Sequence, residues 1–412
     1  MALFDLTEWM DECSSPEYVW YVKRLSGNDT LANKSHQAGP YVPKPFLFEL
    51  FPTLNTTQVK NPDIDLDLYI DSHADHKHVR WVYYNSHRHE KRTSTNRGRD
   101  ETRITRLGGA SSALLDPEST GALAIFAFQR DSDGTGKECH VWVCRHETEE
   151  DLVEDRIGPI QPGEWRLRDF GQPDLFDAKA HHSSCWLEPA NIPPEWLINF
   201  PTGAEIISKT LELRPGNGIE IDERLIKRRN CEFEIFQSVE QAVALPRISQ
   251  GFDSVNEFVT YAQSLLQRRK ARSGRSLELH TKAIFVEENL NEAVDFQHQP
   301  NSEPGKRPDF LFPNQSCYQD TSFPVKNLRM LAVKTSCRDR WRQILNEADR
   351  IPQKHLLTLQ EGVSENQFRE MTQAGVKLVV PKPIISTYPK SVQPYLQTLE
   401  SFIADIRLLS LS

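Results

Sequence analysis

Two carboxylates and one lysine in the last third of the chain have the residue types and the spacing that phosphodiester cleavage requires. Asp309 follows Pro308 at the start of a short apolar run, Lys334 ends the next apolar run, and Glu347 lies thirteen residues further on. Magnesium prefers carboxylate oxygens and water as ligands, and phosphodiester hydrolysis needs positive charge beside an oriented water. Asp309 and Glu347 are therefore candidate magnesium ligands, and Lys334 is a candidate for stabilising the charge that develops on the phosphate.

The elements that must position these side chains can be predicted from local patterns. Residues 309–312 and 328–334 have the apolar composition of strands. Residues 337–349 carry apolar side chains at helical spacing, which puts Arg340 and Glu347 together on a neighbouring face of the same helix. Two strands followed by a helix would bring the two acids and the lysine to one point.

The motifs and their order resemble those of the PD-(D/E)XK nuclease superfamily and, within it, the EcoRII family of restriction endonucleases. Around the candidate site the likeness spans residues 306–313 and 327–361. Ordered matches elsewhere are Lys23-Arg24-Leu25-Ser26 with Asn28-Asp29-Thr30, His36-Gln37 with Gly39 and Tyr41, Arg103-Ile104-Thr105-Arg106, and Asp116-Pro117-Glu118 with Thr120-Gly121-Ala122-Leu123. The resemblance covers almost the whole chain. It implies a multidomain protein, with an N-terminal, mainly β DNA-binding pseudobarrel and a C-terminal α/β restriction-endonuclease-like domain.

The catalytic motif departs from the superfamily pattern at one position. Ala332 stands two residues before Lys334, where most members carry an acid. In the EcoRII-like branch that acid comes from the following helix, and Glu347 matches the migrated position. Glu278 resembles an additional glutamate on an earlier helix. It also fits a solvated acid in the first turn of a helix, where it complements the helix dipole, so both interpretations stay open.

The resemblance implies a specific activity. It implies a type IIE restriction endonuclease that uses Mg²⁺ to cut both strands of double-stranded DNA at a CCWGG-like site, as a homodimer joined through its catalytic domains. It also implies that the N-terminal domain binds a second copy of the site as an effector and shields the nuclease when that copy is absent. Two alternatives remain: a DNA-binding regulator with an inactive nuclease fold, and a nicking or repair nuclease of the same superfamily.

Base contacts are expected in the catalytic domain. The resemblance makes Arg338, Asp339 and Arg340 readers of a C/G step. Their chemistry agrees, because arginine binds guanine edges bidentately and a carboxylate accepts from cytosine N4. Surface ion pairing is the alternative. The resemblance also assigns Arg229 and Phe233 to positions that hold a flipped central base.

The charge distribution supports DNA binding despite a formal net charge of −9. Phosphate contacts need lysine and arginine, and the distribution of charge matters more than its total. Residues 88–106 form a basic loop and residues 268–275 a second basic cluster, although such runs are also typical of solvated faces. The resemblance assigns two DNA-gripping arms to the N-terminal domain, one with His36 and Tyr41 and the other with Arg97, Arg99, Glu101 and Arg103. Thr102 stands where the family pattern has a lysine.

The chain is too long for one ordinary core. At 412 residues two domains are expected, each large enough to bury an interior of its own. Seven prolines interrupt every periodic pattern between residues 158 and 201, which is typical of a hinge region. We therefore predict an effector DNA-binding domain over residues 1–170, a hinge over 171–200 and an endonuclease domain over 201–412.

Other elements follow from periodicity and capping signals. The predicted strands of the N-terminal part, which favour a barrel-like architecture, are 46–51, 65–70, 79–84, 122–128 and 140–144. The predicted helices of the C-terminal part are 222–244, 254–269, 276–289 and 392–409. A strand at 355–359 precedes a further helix that Ser364 caps, with Gln367 completing the capping box. This order of elements is typical of the nuclease core.

Composition argues against several other classes of protein. No apolar run reaches the length of a membrane helix and the start of the chain lacks a basic signal region, so we expect no membrane partner and a prokaryotic cytoplasmic location. The seven cysteines are scattered without a Cys-x-x-Cys pair, which argues against both zinc ribbons and disulfide frameworks. The histidines at 73, 76, 78, 87 and 89 match no closed four-ligand zinc pattern, and we expect polar contacts from them.

Overall fold

The computed structural model describes residues 2–33, 39–89, 100–158, 160, 163–170, 185–216, 218–338 and 340–409, and within them the strands form two sheets. The strands of the N-terminal sheet are β1 (Tyr18–Arg24), β2 (Asp63–Ile70), β3 (Asp75–Tyr84), β4 (Glu101–Thr105), β5 (Leu123–Arg130), β6 (Gly136–Val143) and β7 (Trp165–Asp169). Their order is β4-β3-β2-β6-β5-β1-β7, and every neighbouring pair is antiparallel except β2 with β6. The N-terminal domain is therefore mainly β, as predicted, and β4 and β7 are the edges of its sheet.

Strand β5 shows how this sheet builds two apolar cores. Residues 123–128 are all buried, and successive side chains of a strand point to opposite faces. The even-numbered residues join a core shared with the other strands and α2 (Lys44–Leu50), and the odd-numbered residues join a core covered by α1 (Ala2–Glu12) and α4 (Glu147–Ile157). This packing fixes α4 on one face of the sheet.

The C-terminal domain is α/β. Its strands are β8 (Gln297–His298), β9 (Phe310–Phe312), β10 (Arg329–Val333), β11 (Lys354–Leu357) and β12 (Val376–Val379), in the order β12-β11-β10-β9-β8. The helices that follow α3 (Ser86–His89) and α4 are α5 (Pro194–Ile198), α6 (Gly203–Leu213), α7 (Ile221–Gln250), α8 (Val255–Glu287), α9 (Gln315–Gln319), α10 (Glu365–Gln373), α11 (Lys382–Ile385) and α12 (Leu399–Leu409). One face of the sheet packs on α7, α8 and α12, and the other packs on residues 318–351 and α10.

The pairing of β9 with β10 decides where the candidate site forms. The two strands are antiparallel, with Phe310 opposite Leu331. The start of β9 therefore lies beside the end of β10. Because Asp309 immediately precedes β9 and Lys334 immediately follows β10, the pairing brings both residues to the same end of the sheet.

Several predicted elements agree with the structure. The strands predicted at 65–70, 79–84, 122–128 and 140–144 lie within or overlap β2, β3, β5 and β6. Ser364 caps α10 as predicted, because its hydroxyl accepts a hydrogen bond from the N–H of Gln367 at 3.0 Å. Among the described helices, none combines the length and the apolar composition that crossing a bilayer requires.

Two predictions in the N-terminal domain were wrong. The strand predicted at 46–51 lies mostly in α2, because Phe46, Leu47 and Leu50 are buried together when the segment is helical. Pro45 lies in the first turn of α2, where a missing N–H disrupts no hydrogen bond. The basic segment 88–106, predicted as a loop, contains the edge strand β4.

Three helices of the C-terminal domain differ from their predicted bounds. The helices predicted at 254–269 and 276–289 are one helix, α8, since a single internal glycine costs a helix only about 1 kcal/mol. The segment 337–349 forms a 3-10 helix over Arg340–Asn346 rather than an α-helix. The last helix begins at Leu399 because Gln397 accepts a hydrogen bond from Val380 and so continues the sheet beyond β12.

The expectation of unpaired cysteines was also wrong. Cys185 and Cys231 form a disulfide bond, with Cα atoms 5.2 Å apart. The two residues are 46 positions apart, so no local spacing could reveal the pair. The bond joins Cys185, inside the predicted hinge, to α7.

Candidate active site

Asp309 is held in place by the neighbouring strand. Its Oδ2 atom accepts a hydrogen bond from the backbone N–H of Val333 at 2.7 Å and lies 3.6 Å from Nζ of Lys334. The backbone N–H of Lys334 donates to the carbonyl oxygen of Leu357 on β11, which anchors the lysine at the end of β10. The structure therefore brings the predicted acid and lysine together.

Glu347 approaches the same point from the segment after β10. It follows the 3-10 helix Arg340–Asn346, whose apolar side chains are buried against the sheet. Lys354, a buried lysine on β11, donates hydrogen bonds to the carbonyl oxygens of Glu347 and Ala348. These contacts hold the turn that carries the Glu347 carboxyl group.

The pKa values of the two acids reflect a shared buried environment. Burial, with a further contribution from the charge of Asp309, raises the pKa of Glu347 to about 7. Burial also raises the pKa of Asp309 above its ordinary value, although the charge of Lys334 opposes the shift. Oε2 of Glu347 is buried and has no hydrogen-bond partner among the described residues. A cation at the two carboxylates would relieve the repulsion and give this oxygen a partner, so the residues fit a metal ion.

The ligand set suits magnesium better than zinc. The described part of the chain contains no group of three or more His, Cys, Asp or Glu side chains arranged about one metal position. Zinc sites generally use three or four protein ligands. Magnesium retains several waters and needs only one or two carboxylates, which Asp309 and Glu347 can supply.

Glu278 lies beside this pair in the middle of α8. Only 7% of the residue is exposed, which excludes the interpretation as a solvated first-turn acid. Its Oε1 atom lies 2.5 Å from Nε2 of His298 and accepts a hydrogen bond from Gln299 at 2.7 Å. Burial opposes ionisation, but the contacts with His298 and Gln299 outweigh it and lower the pKa of Glu278. Its charge contributes to the raised pKa of Asp309, so the two carboxyl groups lie near each other.

A cavity of about 330 Å³ separates the catalytic residues from the N-terminal domain. The catalytic domain contributes Glu278, Asp309, Lys334 and Arg340 to its lining, and α4 of the N-terminal domain contributes Glu147, Asp151 and Glu154. The acidic side of α4 therefore covers the catalytic residues.

The predicted base-reading arginines contact the N-terminal domain. Nη1 of Arg338 donates to the carbonyl oxygen of Cys144 at 2.9 Å and lies 3.5 Å from a carboxylate oxygen of Glu150. Nε of Arg340 donates to Glu147 at 2.7 Å. Asp339 lies outside the described residues. Both arginines thus face carboxylates of α4.

The basic cluster predicted at 268–275 is paired with acids in this conformation. Nζ of Lys270 lies 3.1 Å from a carboxylate oxygen of Asp155 on α4. Arg272 is largely buried and pairs with Glu232 on α7 at 2.8 Å. In this conformation these cations neutralise acids of the protein. Contact of the cluster with DNA stays a prediction.

Comparisons with known proteins agree with the geometry of the site. The family model "Restriction endonuclease EcoRII, N-terminal" matches residues 14–170, and the model "EcoRII C terminal" matches residues 236–403. The type II restriction enzyme EcoRII of Escherichia coli is 44% identical over 405 residues, which are 97% of this chain and 96% of that enzyme. The chain belongs to the EcoRII family of restriction endonucleases. It is a type II site-specific deoxyribonuclease with two family domains.

Matches among solved structures include two complexes of the enzyme Ecl18kI with DNA. One is metal-depleted Ecl18kI with uncleaved, modified DNA, which is 19% identical, has a TM-score of 0.43 and is matched over 55% of this chain and 85% of that chain. The other is metal-depleted Ecl18kI with uncleaved DNA, which is 20% identical, has a TM-score of 0.43 and is matched over 55% and 86%.

In this EcoRII-family enzyme the predicted flipped-base residues lie one helical turn apart on α7. Arg229 is buried, and burial lowers the pKa of its guanidinium group. The guanidinium carbon of Arg272 lies 4.7 Å from the centroid of the Phe233 ring. A base could stack on that face of Phe233 only after Arg272 moved.

The predicted DNA-gripping arms of the N-terminal domain meet at the edge strand β4. Arg103 donates a hydrogen bond to the carbonyl oxygen of Gly39 at 2.8 Å and pairs with Glu101 at 3.2 Å. Burial raises the pKa of Tyr41, and the charges of Arg103 and Glu101 also act on it, so the three side chains are neighbours. The remaining predicted contacts, His36, Arg97 and Arg99, lie outside the described residues.

Two sets of residues at the site were missed from the sequence. The acidic residues of α4 stand in a visible run, Glu147-Thr148-Glu149-Glu150-Asp151, and their charge is opposite to that of Arg338 and Arg340. This charge complementarity was the signal from which the contact between α4 and the two arginines could have been predicted. No feature of the sequence indicates the role of Lys354. This lysine positions the turn at Glu347 through hydrogen bonds to backbone oxygens, which only the structure shows.

Proposed function

We propose that this EcoRII-family enzyme is a type IIE restriction endonuclease, which uses Mg²⁺ to cut both strands of DNA at a CCWGG-like site. The observation that carries the proposal is the convergence of Asp309, Lys334 and Glu347 at one end of the C-terminal sheet. Two buried acids, of which Asp309 raises the pKa of Glu347, and a lysine beside them are the groups that phosphodiester hydrolysis requires.

Each side chain of this group has a task. Asp309 and Glu347 would hold the metal ion, and Glu278 adds a carboxylate whose lowered pKa keeps it ionised at neutral pH. Bound magnesium supplies positive charge against which negative charge can develop on the scissile phosphate. Lys334, with Nζ 3.6 Å from Asp309, stabilises the same developing charge or lowers the pKa of the attacking water.

Base recognition would come from the segment that precedes Glu347. Arg338, Asp339 and Arg340 would read a C/G step in the major groove through bidentate and carboxylate contacts. Arg229 and Phe233 would hold a flipped central base, with stacking on the phenylalanine offsetting the loss of stacking in the duplex. Contact with DNA requires Arg340 to leave Glu147, and stacking requires Arg272 to leave the ring of Phe233.

The N-terminal domain would act as a shield that effector DNA removes. Contacts of α4 with Arg338, Arg340 and Lys270 support a resting conformation in which DNA cannot reach the catalytic residues. The pair of Arg340 with Glu147 is about one third exposed on each side, and such pairs are individually weak. A second copy of the site, bound through Tyr41, Glu101, Arg103 and the arm residues His36, Arg97 and Arg99, would favour the conformation in which α4 has moved away.

The domain division and the assembly follow from the same proposal. Residues 1–170 would form the effector domain, 171–200 the hinge and 201–412 the endonuclease domain. Two separate family models, over residues 14–170 and 236–403, support a division of the chain between them. Each chain has one catalytic centre. A homodimer joined through the catalytic domains would present one centre to each strand of a nearly two-fold symmetric target.

Plasmid cleavage in the presence of Mg²⁺ tests the catalytic assignment. Asp309→Ala and Lys334→Ala should each strongly reduce cutting, because each removes a group from the cleavage site. Lys326→Ala is the matched control, since Lys326 is an exposed lysine just before the opposite end of β10. Full cutting by either the Asp309 or the Lys334 variant would defeat the assignment.

The same assay separates the remaining candidates. A DNA-binding regulator would retard DNA and leave it intact, and a nicking enzyme would stop at open circles. A repair nuclease would give termini without a common sequence. Sequencing the ends of the products should instead return one CCWGG-like site.

A further inference from the structure

The segment that leaves β10 carries the lysine of the cleavage site and a predicted base reader a few positions apart. Lys334 immediately follows β10, and Arg338 lies four residues further on. At first the segment continues the sheet. The N–H of Lys334 donates to the carbonyl oxygen of Leu357 at 3.0 Å, and the N–H of Leu359 donates to that of Thr335 at 3.2 Å. The N–H groups at the far end of the segment bond to a side chain instead.

That side chain is the carboxamide of Gln360. Its oxygen accepts hydrogen bonds from the N–H groups of Cys337 at 2.8 Å and Arg338 at 3.0 Å. Its nitrogen donates to the carbonyl oxygen of Gly362 at 2.8 Å. The residue is only 1% exposed. Because a buried N–H without a partner is costly, the conformation of the segment at Arg338 depends on this one side chain.

Gln360 is itself held from several directions. The hydroxyl of the buried Tyr388 donates to the carbonyl oxygen of Gln360 at 2.8 Å, and the N–H of Gln360 donates to the hydroxyl of Thr358 at 3.2 Å. Gly121 of the N-terminal domain packs so closely on the carboxamide that a Cβ atom at position 121 would lie 2.6 Å from Nε2 of Gln360. The carboxamide therefore has little freedom to turn away from the segment.

We propose that Gln360 is a positioning residue for base recognition. It fixes the backbone from which the Arg338 side chain extends, relative to Lys334 at the other end of the segment. The inference rests on the proposed role of Arg338 as a base reader. Functional side chains must be held within roughly 0.5 Å of their productive positions, and a guanidinium must align with both acceptors of a guanine edge.

This positioning does not depend on the N-terminal domain. The bonds of the Gln360 carboxamide to Cys337, Arg338 and Gly362 all lie within the catalytic domain. Movement of α4 away from the catalytic residues would free the guanidinium of Arg338 and leave its backbone in place. The arginine would then meet DNA from a defined starting point.

Gln360→Met tests the inference in the full-length protein. Methionine has nearly the length of glutamine, but its thioether is only a weak acceptor and cannot donate. The measurement is the ratio of kcat/KM for DNA with the site that the wild type recognises to kcat/KM for DNA with one base pair of that site changed. Arg338→Ala first identifies the pair at which Arg338 discriminates. At that pair Gln360→Met should lose roughly 10-fold of the roughly 10- to 100-fold discrimination that a bidentate contact provides.

Two further variants separate positioning from general loss of stability. Gln397→Met is the matched control, because Gln397 is also a buried glutamine and loses a hydrogen bond to Asp405, but it lies on the far side of β12. It should lower the Tm and leave the discrimination ratio unchanged. Gln360→Glu keeps an acceptor for the two N–H groups, and its protonated form also donates to the carbonyl oxygen of Gly362. It should therefore restore discrimination that Gln360→Met loses.

Unchanged discrimination in Gln360→Met would overturn the inference, and so would an equal loss in Gln397→Met. A variant that cuts every DNA more slowly by one common factor would likewise contradict it, since a purely structural residue behaves in that way. Should Gln360→Met fail to fold, Gln360→Asn replaces it. Asparagine keeps the carboxamide but is one methylene shorter, so the same loss of discrimination is expected and its absence has the same meaning.

The Arg338→Ala variant distinguishes failure of this inference from failure of the proposed function. If Arg338→Ala changes discrimination at no base pair, the proposed role of Arg338 is wrong and the inference falls with it. If Arg338→Ala changes discrimination at one pair and Gln360→Met does not, the proposed function stands and only the role of Gln360 is wrong.

Discussion

Ionised Glu347 should destabilise the metal-free enzyme at neutral and alkaline pH. Burial beside Asp309 raises the pKa of this carboxyl group from 4.5 to about 7 in the folded protein. One pKa unit is about 1.4 kcal/mol, so the shift corresponds to about 3 kcal/mol. Because the folded pKa of an acid is raised, the destabilisation is absent below pH 4.5, grows as the pH rises from 4.5 to about 7, and is complete above that range.

The variant Glu347→Gln removes this destabilisation while it keeps the shape of the side chain. Without metal, we expect it to exceed the wild type in stability by about 3 kcal/mol at pH 8, and by less than about 1 kcal/mol at pH 5. For a domain of about 200 residues, 3 kcal/mol is roughly 6–12 °C in Tm. Calorimetry in EDTA at the two pH values measures the difference. The exposed Glu400→Gln is the control that should show no such gain.

Magnesium should reduce the stability advantage of Glu347→Gln over the wild type. A cation that binds the folded state raises its stability according to its affinity, and Glu347 is one of the two carboxylates that would hold it. Mg²⁺ should therefore raise the Tm of the wild type more than that of Glu347→Gln. The reasoning is refuted if metal-free Glu347→Gln is less stable than the wild type at pH 8, or if its advantage is the same at pH 5.

Three further predictions follow from the contacts of the site. Lys334→Ala should reduce single-turnover cleavage by roughly 100- to 1000-fold, the usual effect of losing one group that stabilises the transition state, with little change in DNA affinity by gel retardation. Glu147→Ala should increase cleavage of DNA with a single site several-fold, because it breaks the contact with Arg340, and unchanged single-site cleavage would argue against shielding by α4. Reduction of the Cys185–Cys231 bond should lower the Tm of the protein, and Cys185→Ser should reproduce that loss, since a cross-link over a separation of 46 residues stabilises by roughly 4 kcal/mol.

Elements with local signals could be predicted from the sequence. The alternation of β2 and the Ser364 cap of α10 depend only on neighbouring residues, and both are present. The conformation of α2 depends on packing with distant strands, and the segment before Glu347 depends on Lys354 from another strand. The periodicity of a short stretch of sequence gives no information about either of these long-range contacts. For this reason the conformations of both segments were predicted incorrectly.

The sequence by itself determined the chemical groups of the site and the family. Asp309 and Lys334 each flank an apolar strand, and Glu347 follows at a spacing that the family resemblance explains. Only the tertiary structure decided that the carboxyl groups share a buried environment and that α4 covers them. The contact of Arg340 with Glu147 joins residues 193 positions apart. An acidic run can pair with any basic surface, and its actual partner depends on how the two domains pack against each other.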